Sequence, residues 1–505
     1  MSNKQIKSGA IISYIGIVFN IVAGLIYTPW MIGQIGKADY GLYMLSISFL
    51  AYFVMDFGLG QATAKFIAKY RVANEQHKIG ELLGLTTKLY LIIDLVIALV
   101  LISIYFYIET IFKELTPLEV EKFKIIYCIS GLFSFVSFPF TSLNGILIAY
   151  ERFVLLKITE LVSKIGIITF MVIALLLGYK LFALVAINAF VGLIIILIKV
   201  GYLYKTTNTT INLGYKNKAL LKELFSVSFW VSIIGIAQRL LIIMAPTILA
   251  IYSGTAEIAI FSIAMVVEGY TWTLANALNG MFLTKVSKIS NVNNRAEITN
   301  LMIKVGRLQL FIVGLIIVGF IAFGKEFIVL WVGVDFQDSY YVVLMLLVLG
   351  SITLTQDIAY TLLFVEDKIK YRAILFIVAA LLSVVISIYL APKYGAIGTS
   401  LGIFTSILFC HVIGMNIIYW KILKLDIIYF FKECHLKLIP ILSIALLIGF
   451  LIQFYSPVTS LFLFVPKALV LGVIYFLMMW FYGLNNFEKG LFKEGYKRIN
   501  SLVKP

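Results

Sequence analysis

The stretch Asp56-Phe-Gly-Leu-Gly-Gln-Ala-Thr-Ala-Lys-Phe-Ile-Ala-Lys-Tyr-Arg71 closes a long apolar run, sets a carboxylate inside it and ends in a basic cluster. An ionised side chain at bilayer depth costs about 2.5–3.5 kcal/mol even on lenient insertion scales, so it is retained for a partner or a purpose. Few other charges fall inside apolar runs: Lys88, Asp94, Arg239, Glu268 and, nearer an edge, Asp357. Helical spacing assigns them to faces. Tyr52, Asp56, Gly60 and Thr63 share one face. Ser228, Ser232, Gly235 and Arg239 share a second, and Glu268, Trp272, Ala275 and Asn279 a third. Stripes of small, polar and aromatic residues suit a wet cavity or a tight helix interface, and Gly58 and Gly60 allow a second helix to approach closely. Asp56 and Lys88 lie at similar depth on consecutive runs, as do Arg239 and Glu268, so each couple is a candidate ion pair. Asp94 has no evident partner and suits a proton or a cation such as Na⁺. Asp56, Glu268 and Asp357 are further ion-coupling candidates.

The elements that must hold these charges follow from composition. Of 505 residues, 62% are hydrophobic and 13% charged, whereas soluble domains are nearer 25% charged. The apolar runs are long and continuous, which excludes the short alternating strands of a membrane barrel. An all-α polytopic membrane protein is expected. The net charge of +16 reflects basic inner loops, not nucleic acid. Cys128, Cys410 and Cys434 are far apart, and His77, His411 and His435 are scattered, so neither a disulfide framework nor a metal site is expected. There is no Walker A sequence and no dinucleotide fingerprint, so no cofactor is expected and ATP is not the direct driver.

With about 20 apolar residues needed per crossing, the chain holds roughly fourteen spans. They centre on 10–32, 41–63, 82–105, 125–148, 161–177 and 183–203, then on 224–250, 258–282, 301–323, 340–363, 373–390 and 397–420, and finally on 438–455 and 461–481. Most Lys and Arg then fall on one side, including Lys65, Lys69 and Arg71, Lys421, Lys424 and Lys432, and the tail Lys489–Arg498. The positive-inside rule makes that side, with both termini, cytoplasmic. The opposite loops are short. Phe327–Val334 in one of them is apolar but too short to cross, and is expected to dip into the interface with Trp331 as anchor.

Two copies of a six-span unit are expected. Ile35-Gly-Lys-Ala-Asp-Tyr-Gly41 resembles Ser253-Gly-Thr-Ala-Glu-Ile-Ala259, both on outer turns. Tyr150-Glu-Arg-Phe153 matches Val365-Glu-Asp-Lys368 on inner turns, and at the same offset Lys180-Leu-Phe-Ala183 falls on Gly395-Ala-Ile-Gly398. Six is even, so the lobes, 1–211 and 212–436, have the same orientation, with two more spans and a basic tail in 437–505. Two like-oriented lobes with a path between them is transporter architecture.

These features resemble the polysaccharide flippases, the Wzx-type transporters of O-antigen and capsule repeat units. Their superfamily also holds multidrug exporters and lipid II flippases. The residues that carry the resemblance are the first outer turn Gly36–Tyr43, the Asp56-Phe-Gly-Leu-Gly stretch through Ala64-Lys65, the inner turns at Glu151 and Glu366, and the closing pair of spans. The resemblance covers nearly the whole chain. It implies translocation of an undecaprenyl-diphosphate-linked oligosaccharide to the outer leaflet of a bacterial cytoplasmic membrane. It implies as partners the bilayer, a coupling cation and polysaccharide polymerase machinery. Cavity bases would meet the diphosphate, with Arg239 and Lys88 in position to do so, Lys65 and Lys304 steering near the inner mouth, and Gln61 and Gln238 beside them. Buried acids outnumber buried bases here, a departure from a strongly cationic lumen. A cation-coupled small-molecule exporter is the alternative on the same scaffold. A membrane polymerase or glycosyltransferase would need larger outer loops.

Overall fold

The computed structural model describes residues 2–53, 55–207, 211–276, 283–291 and 294–490. Among them there are helices and turns and no strand. That is what an apolar surrounding demands, because a helix satisfies its own backbone polar groups. Ten helices are long and apolar enough to cross a membrane, and two bent pairs add two more crossings. The stretch Ile369–Lys421 turns back at Gly395, whose φ of 52° breaks it in two. Lys37–Phe53, one residue too short for that count, continues beyond a break as Leu59–Val72. The helices thus follow the order of the apolar runs, and ten to twelve of them are long and apolar enough to cross a membrane.

Spans 1 to 6 are Ile11–Ile35, the broken Lys37–Phe53 and Leu59–Val72, Gln76–Ile111, Pro117–Ala149, Phe153–Leu176 and Leu181–Thr206. Span 4 bends at Phe138–Phe140, where Pro139 withholds a backbone donor. Span 7 is Lys218–Ile243, running on into Ala245–Tyr252, and span 8 is Thr255–Asn276. Span 9 is Arg295–Val332, and span 10 joins Ser339–Leu354 to Asp357–Val365 at 52°. Spans 11 and 12 are the two arms of Ile369–Lys421. Spans 13 and 14 are Ile427–Tyr455 and Leu461–Gly483. Of the expected interfacial dip at Phe327–Val334, residues 327–332 are instead the last turns of span 9, which stops at Gly333 (φ 107°). Trp331 is 5% exposed there and stacks on Phe327, four residues earlier on the same helix face.

The paired turns have matching backbones. Gly36 and Gly254 have φ of 85° and 89°, a left-handed conformation that glycine adopts without a Cβ penalty. At the inner turns the left-handed residues are Glu151 (φ 57°) and Asp367 (φ 53°). Sequence alignment set Glu151 against Glu366. The backbone shifts that match by one residue, because the left-handed residue closes the helix end in each copy. Glu366 instead binds Arg295 and, at 2.9 Å, Lys368. Burial alone would raise its carboxyl, but these two cations outweigh it and hold the pKa below the ordinary range.

The chain divides into two compact units, Met1–Ser262 with Phe376–Ile403, and Ile263–Leu375 with Phe404–Pro505. In the first unit the Ser253–Glu257 turn is gripped from both sides. Thr255 donates to Glu119 at 2.6 Å, and Glu119 also completes the capping box at Thr116. A Cβ on Gly41 would lie 2.2 Å from the Thr255 carbonyl oxygen. On the other flank Ser253 donates to Ala391 O at 2.9 Å, and the Ala396 amide donates to Glu257 at 2.7 Å. Lys122 and Asp39 pair at 2.6 Å nearby.

In the second unit spans 13 and 14 pack on span 9 around a core that includes Leu310, Val318, Phe430, Ala445, Leu471 and Tyr475. Arg307 of span 9 is 6% exposed, and Glu488, beyond span 14, is 0% exposed. The guanidinium holds the carboxylate through Nε at 2.6 Å and Nη2 at 3.2 Å. It also donates to Glu433 O at 2.8 Å and to Gly483 O. Arg307 lies within the 301–323 span. Nothing in the sequence links it to an acid so far along the chain.

Candidate functional site

The break in span 2 is the centre of the site. The first helix stops at Phe53, and the second starts at Leu59 after two successive left-handed residues, Phe57 (φ 50°) and Gly58 (φ 67°). Asp56 caps the new helix by accepting the Gly60 amide at 2.6 Å. It also accepts the Tyr90 hydroxyl at 3.1 Å. A carboxylate at a helix start is favoured by the unpaired N–H groups there. Gly145 then lets span 4 approach Gly60: a Cβ on Gly145 would lie 2.3 Å from the Gly60 oxygen. The close helix approach expected at Gly60 is therefore met by span 4, while Gly58 supplies the left-handed turn.

Span 7 lies against this break. Ser232 donates to Phe57 O. Arg239 donates through Nε to Ala51 O at 2.7 Å, a carbonyl in the last turn before the break. Arg239 also lies within electrostatic reach of Asp56. Arg239–Ile243 is a π-helical turn, which widens the helix where the guanidinium leaves it. Tyr52 returns the contact, donating to Ile243 O at 2.8 Å. Of the stripe Ser228, Ser232, Gly235 and Arg239, the last three face span 2, and the Ser228 side chain lies outside the described residues. Beside Arg239 is a cavity of about 340 Å³, lined by Phe49, Tyr52, Met55, Phe57, Arg239 and Thr247, among others. Among the described residues the terminal amino groups of Arg239 have no hydrogen-bond partner.

The expected Asp56–Lys88 ion pair does not form. Asp56 is engaged by Gly60 and Tyr90, and Lys88 donates to Tyr215 O at 2.6 Å. Lys88 thus fastens the segment between spans 6 and 7 along span 3, where the Asn212 amide also donates to Gly80 O. Arg239 takes part in no ion pair among the described residues. Glu268 lies within reach of Trp272 one turn on, and Asn279 lies outside the described residues. Asp94 is 2% exposed, and its Oδ1 has no hydrogen-bond partner among the described residues. The ring contact of Tyr90 with Phe138 and the Tyr127–Leu101 hydrogen bond bracket it between spans 3 and 4. Gln61, Lys65 and Gln238 are exposed. Lys304 is exposed and lies over the Phe487 ring at 4.8 Å. Asp357 is within electrostatic reach of Arg372, which sequence reading missed and which stacks on Tyr360 at 3.5 Å.

No group of three or more His, Cys, Asp or Glu side chains among the described residues could hold a metal ion. The site pairs a guanidinium, anchored through Nε and with its terminal amino groups unpartnered among the described residues, with aromatic walls at a helix break. It can bind an anionic group attached to an apolar or ring-bearing body.

The fold is that of solved transporters. A lipid II flippase, MurJ, in an inward closed conformation superposes with a TM-score of 0.70 at 17% identity, covering 94% of this chain and 99% of that one. A multidrug resistance MATE transporter of the MOP superfamily, inward-facing, gives 0.65 at 15% identity over 81% and 98% of the two chains. An outward-facing MATE transporter gives 0.59 at 16% identity over 82% and 94%. The comparison with curated proteins finds no match. The model of the family described as "Polysaccharide biosynthesis protein" matches residues 6–267, more than half of the sequence. The chain is therefore a multi-pass membrane protein that belongs to the polysaccharide biosynthesis protein family.

Proposed function

We propose that the protein is a flippase for undecaprenyl-diphosphate-linked oligosaccharide repeat units in a bacterial cytoplasmic membrane. It serves assembly of a cell-surface polysaccharide of the O-antigen, lipopolysaccharide or capsule kind, and hands its product to polymerase machinery. It performs no covalent chemistry. The lobes 1–211 and 212–436 alternate in access, with 437–505 as an appended pair of spans and tail. The observation that carries this reading is Arg239, anchored through Nε at the span 2 break, with its two terminal amino groups unpartnered among the described residues beside a cavity lined in part by aromatic residues. A diphosphate cannot cross hydrocarbon unaided, because removing water from its charge costs too much. A planar fork meets two phosphate oxygens at once. Lys88, Lys65 and Lys304, with Gln61 and Gln238, flank the path as steering and head-group contacts. Deleting the gene should strand lipid-linked repeat units on the cytoplasmic leaflet and remove the surface glycan. Arg239→Ala should do the same at normal protein level, with Arg239→Lys intermediate because it keeps the charge and loses the fork. Unchanged surface glycan in a deletion strain that encodes no second flippase would sink the assignment.

The basic segments place both termini on the cytoplasmic side in this reading. With the natural cysteines removed, single cysteines at Val72 and Lys424 should resist an impermeant thiol reagent in intact cells and react after lysis. Labelling of either position from outside would overturn the topology.

A second reading, a cation-coupled exporter of small molecules, draws on Asp94. Its buried, unpartnered oxygen suits a transported proton or Na⁺. Asp56 is already engaged by the Gly60 amide and Tyr90 and is a weaker candidate for that role; Glu268 and Asp357 are further candidates. A dependence of glycan export on Asp94 would attach the cation to the flippase itself. A gene deletion that sensitises cells to drugs and spares the glycan would favour the exporter.

A further inference from the structure

The last turns of span 12 and the short helix Ile427–Phe431 enclose a groove of about 810 Å³ on the surface of the second unit. Its walls include Ile413, Ile417, Trp420, Ile428 and Phe431, with Lys424 at the rim. Several of these residues are open: Trp420 is 59% exposed and Ile428 is 83% exposed. In water such a patch would be a liability, but the end of a membrane span is where lipid meets the aqueous phase. Trp is the residue that settles at that level. Lys424 in the turn is one of the lining residues, and two more lysines adjoin lining residues in the chain: Lys421, whose ammonium lies 5.8 Å from the centre of the Trp420 ring, and Lys432, next to Phe431. Lys424 is exposed and has no hydrogen bond or ion pair among the described residues. The acid in the groove, Asp426, accepts the Tyr429 amide at 2.9 Å and caps the short helix. Lys424 offsets the Asp426 carboxylate within an otherwise apolar lining, and Lys421 and Lys432 beside it in the chain leave the surroundings with an excess of positive charge.

We propose that this groove binds an anionic phospholipid, with an acyl chain along the isoleucine wall and its phosphate at Lys421 and Lys424. The occupant follows from charge complementarity: a zwitterionic head group gains little from three ammonium groups, whereas an anionic one gains about fivefold in binding per lysine. The site is separate from the span 2 break and does not depend on what crosses the membrane.

The test is native mass spectrometry of the purified full-length protein. It is taken from mixed vesicles of phosphatidylglycerol and phosphatidylcholine, with undecaprenyl phosphate added in a parallel sample. The wild type should retain phosphatidylglycerol over phosphatidylcholine. Lys421→Gln with Lys424→Gln should lower that retention by about tenfold or more at an unchanged melting temperature. Ile413→Trp, which fills the groove and keeps the charges, should also lower it. Equal retention of the two phospholipids, or retention unaffected by either variant, would overturn the proposal. So would displacement of phosphatidylglycerol by undecaprenyl phosphate at equal concentration, which would make the groove a substrate-lipid site.

Discussion

Replacing Glu488 with alanine should destabilise the protein by about 3–5 kcal/mol, the usual cost of removing one partner from a buried ion pair. Arg307 stays buried, and two of the hydrogen bonds of its guanidinium lose their acceptor. A stranded charge is worse than no charge, so the double replacement Arg307→Met with Glu488→Leu should recover much of the loss. The same guanidinium also holds Glu433 O and Gly483 O, at the entry to span 13 and the exit of span 14. The loss should therefore show first as release of these two spans. Thermal unfolding in detergent, with proteolysis between spans 12 and 13 as a local readout, measures both effects. A single variant as stable as the wild type would mean that the pair does not hold the C-terminal spans.

Replacing Gly41 with valine should abolish surface glycan at near-normal protein level. A Cβ at this position would sit 2.2 Å from the Thr255 oxygen, well inside van der Waals contact, and the obstacle is backbone that has no rotamer to give. The two turns can coexist with a side chain only by parting, which also breaks the Thr255–Glu119 hydrogen bond. Overpacking of this kind costs about 1–3 kcal/mol, enough to shift a two-state equilibrium by about 5–150-fold. In the flippase reading the variant cannot close these turns and stalls with them open. Thr255→Cys in the Gly41→Val background, free of the natural cysteines, should gain labelling by an impermeant thiol reagent over Thr255→Cys alone. Normal glycan together with unchanged labelling would show that the contact is not a gate.

By itself the sequence determined the class of this protein, the order of its apolar runs and the existence of matched turns. These follow from one-dimensional signals: the length of an apolar run and glycine where φ must be positive. It also marked Asp56, Asp94 and Arg239 as costly charges in need of an explanation. What each charge does was decided by the tertiary structure. Asp56 and Lys88 are expected at similar depth, yet depth is one coordinate of three: the break in span 2 turns Asp56 to Tyr90, and Lys88 reaches Tyr215 O instead. Arg239 found its acceptor at Ala51 because span 2 breaks there, and a break leaves carbonyls that no hydropathy profile records. Arg307 and Glu488 are 181 residues apart. Only chain folding brings such a pair together, and only burial makes it costly to disturb. Hydropathy reads where a residue enters the membrane; its partner is set by packing between distant spans, which no local pattern carries.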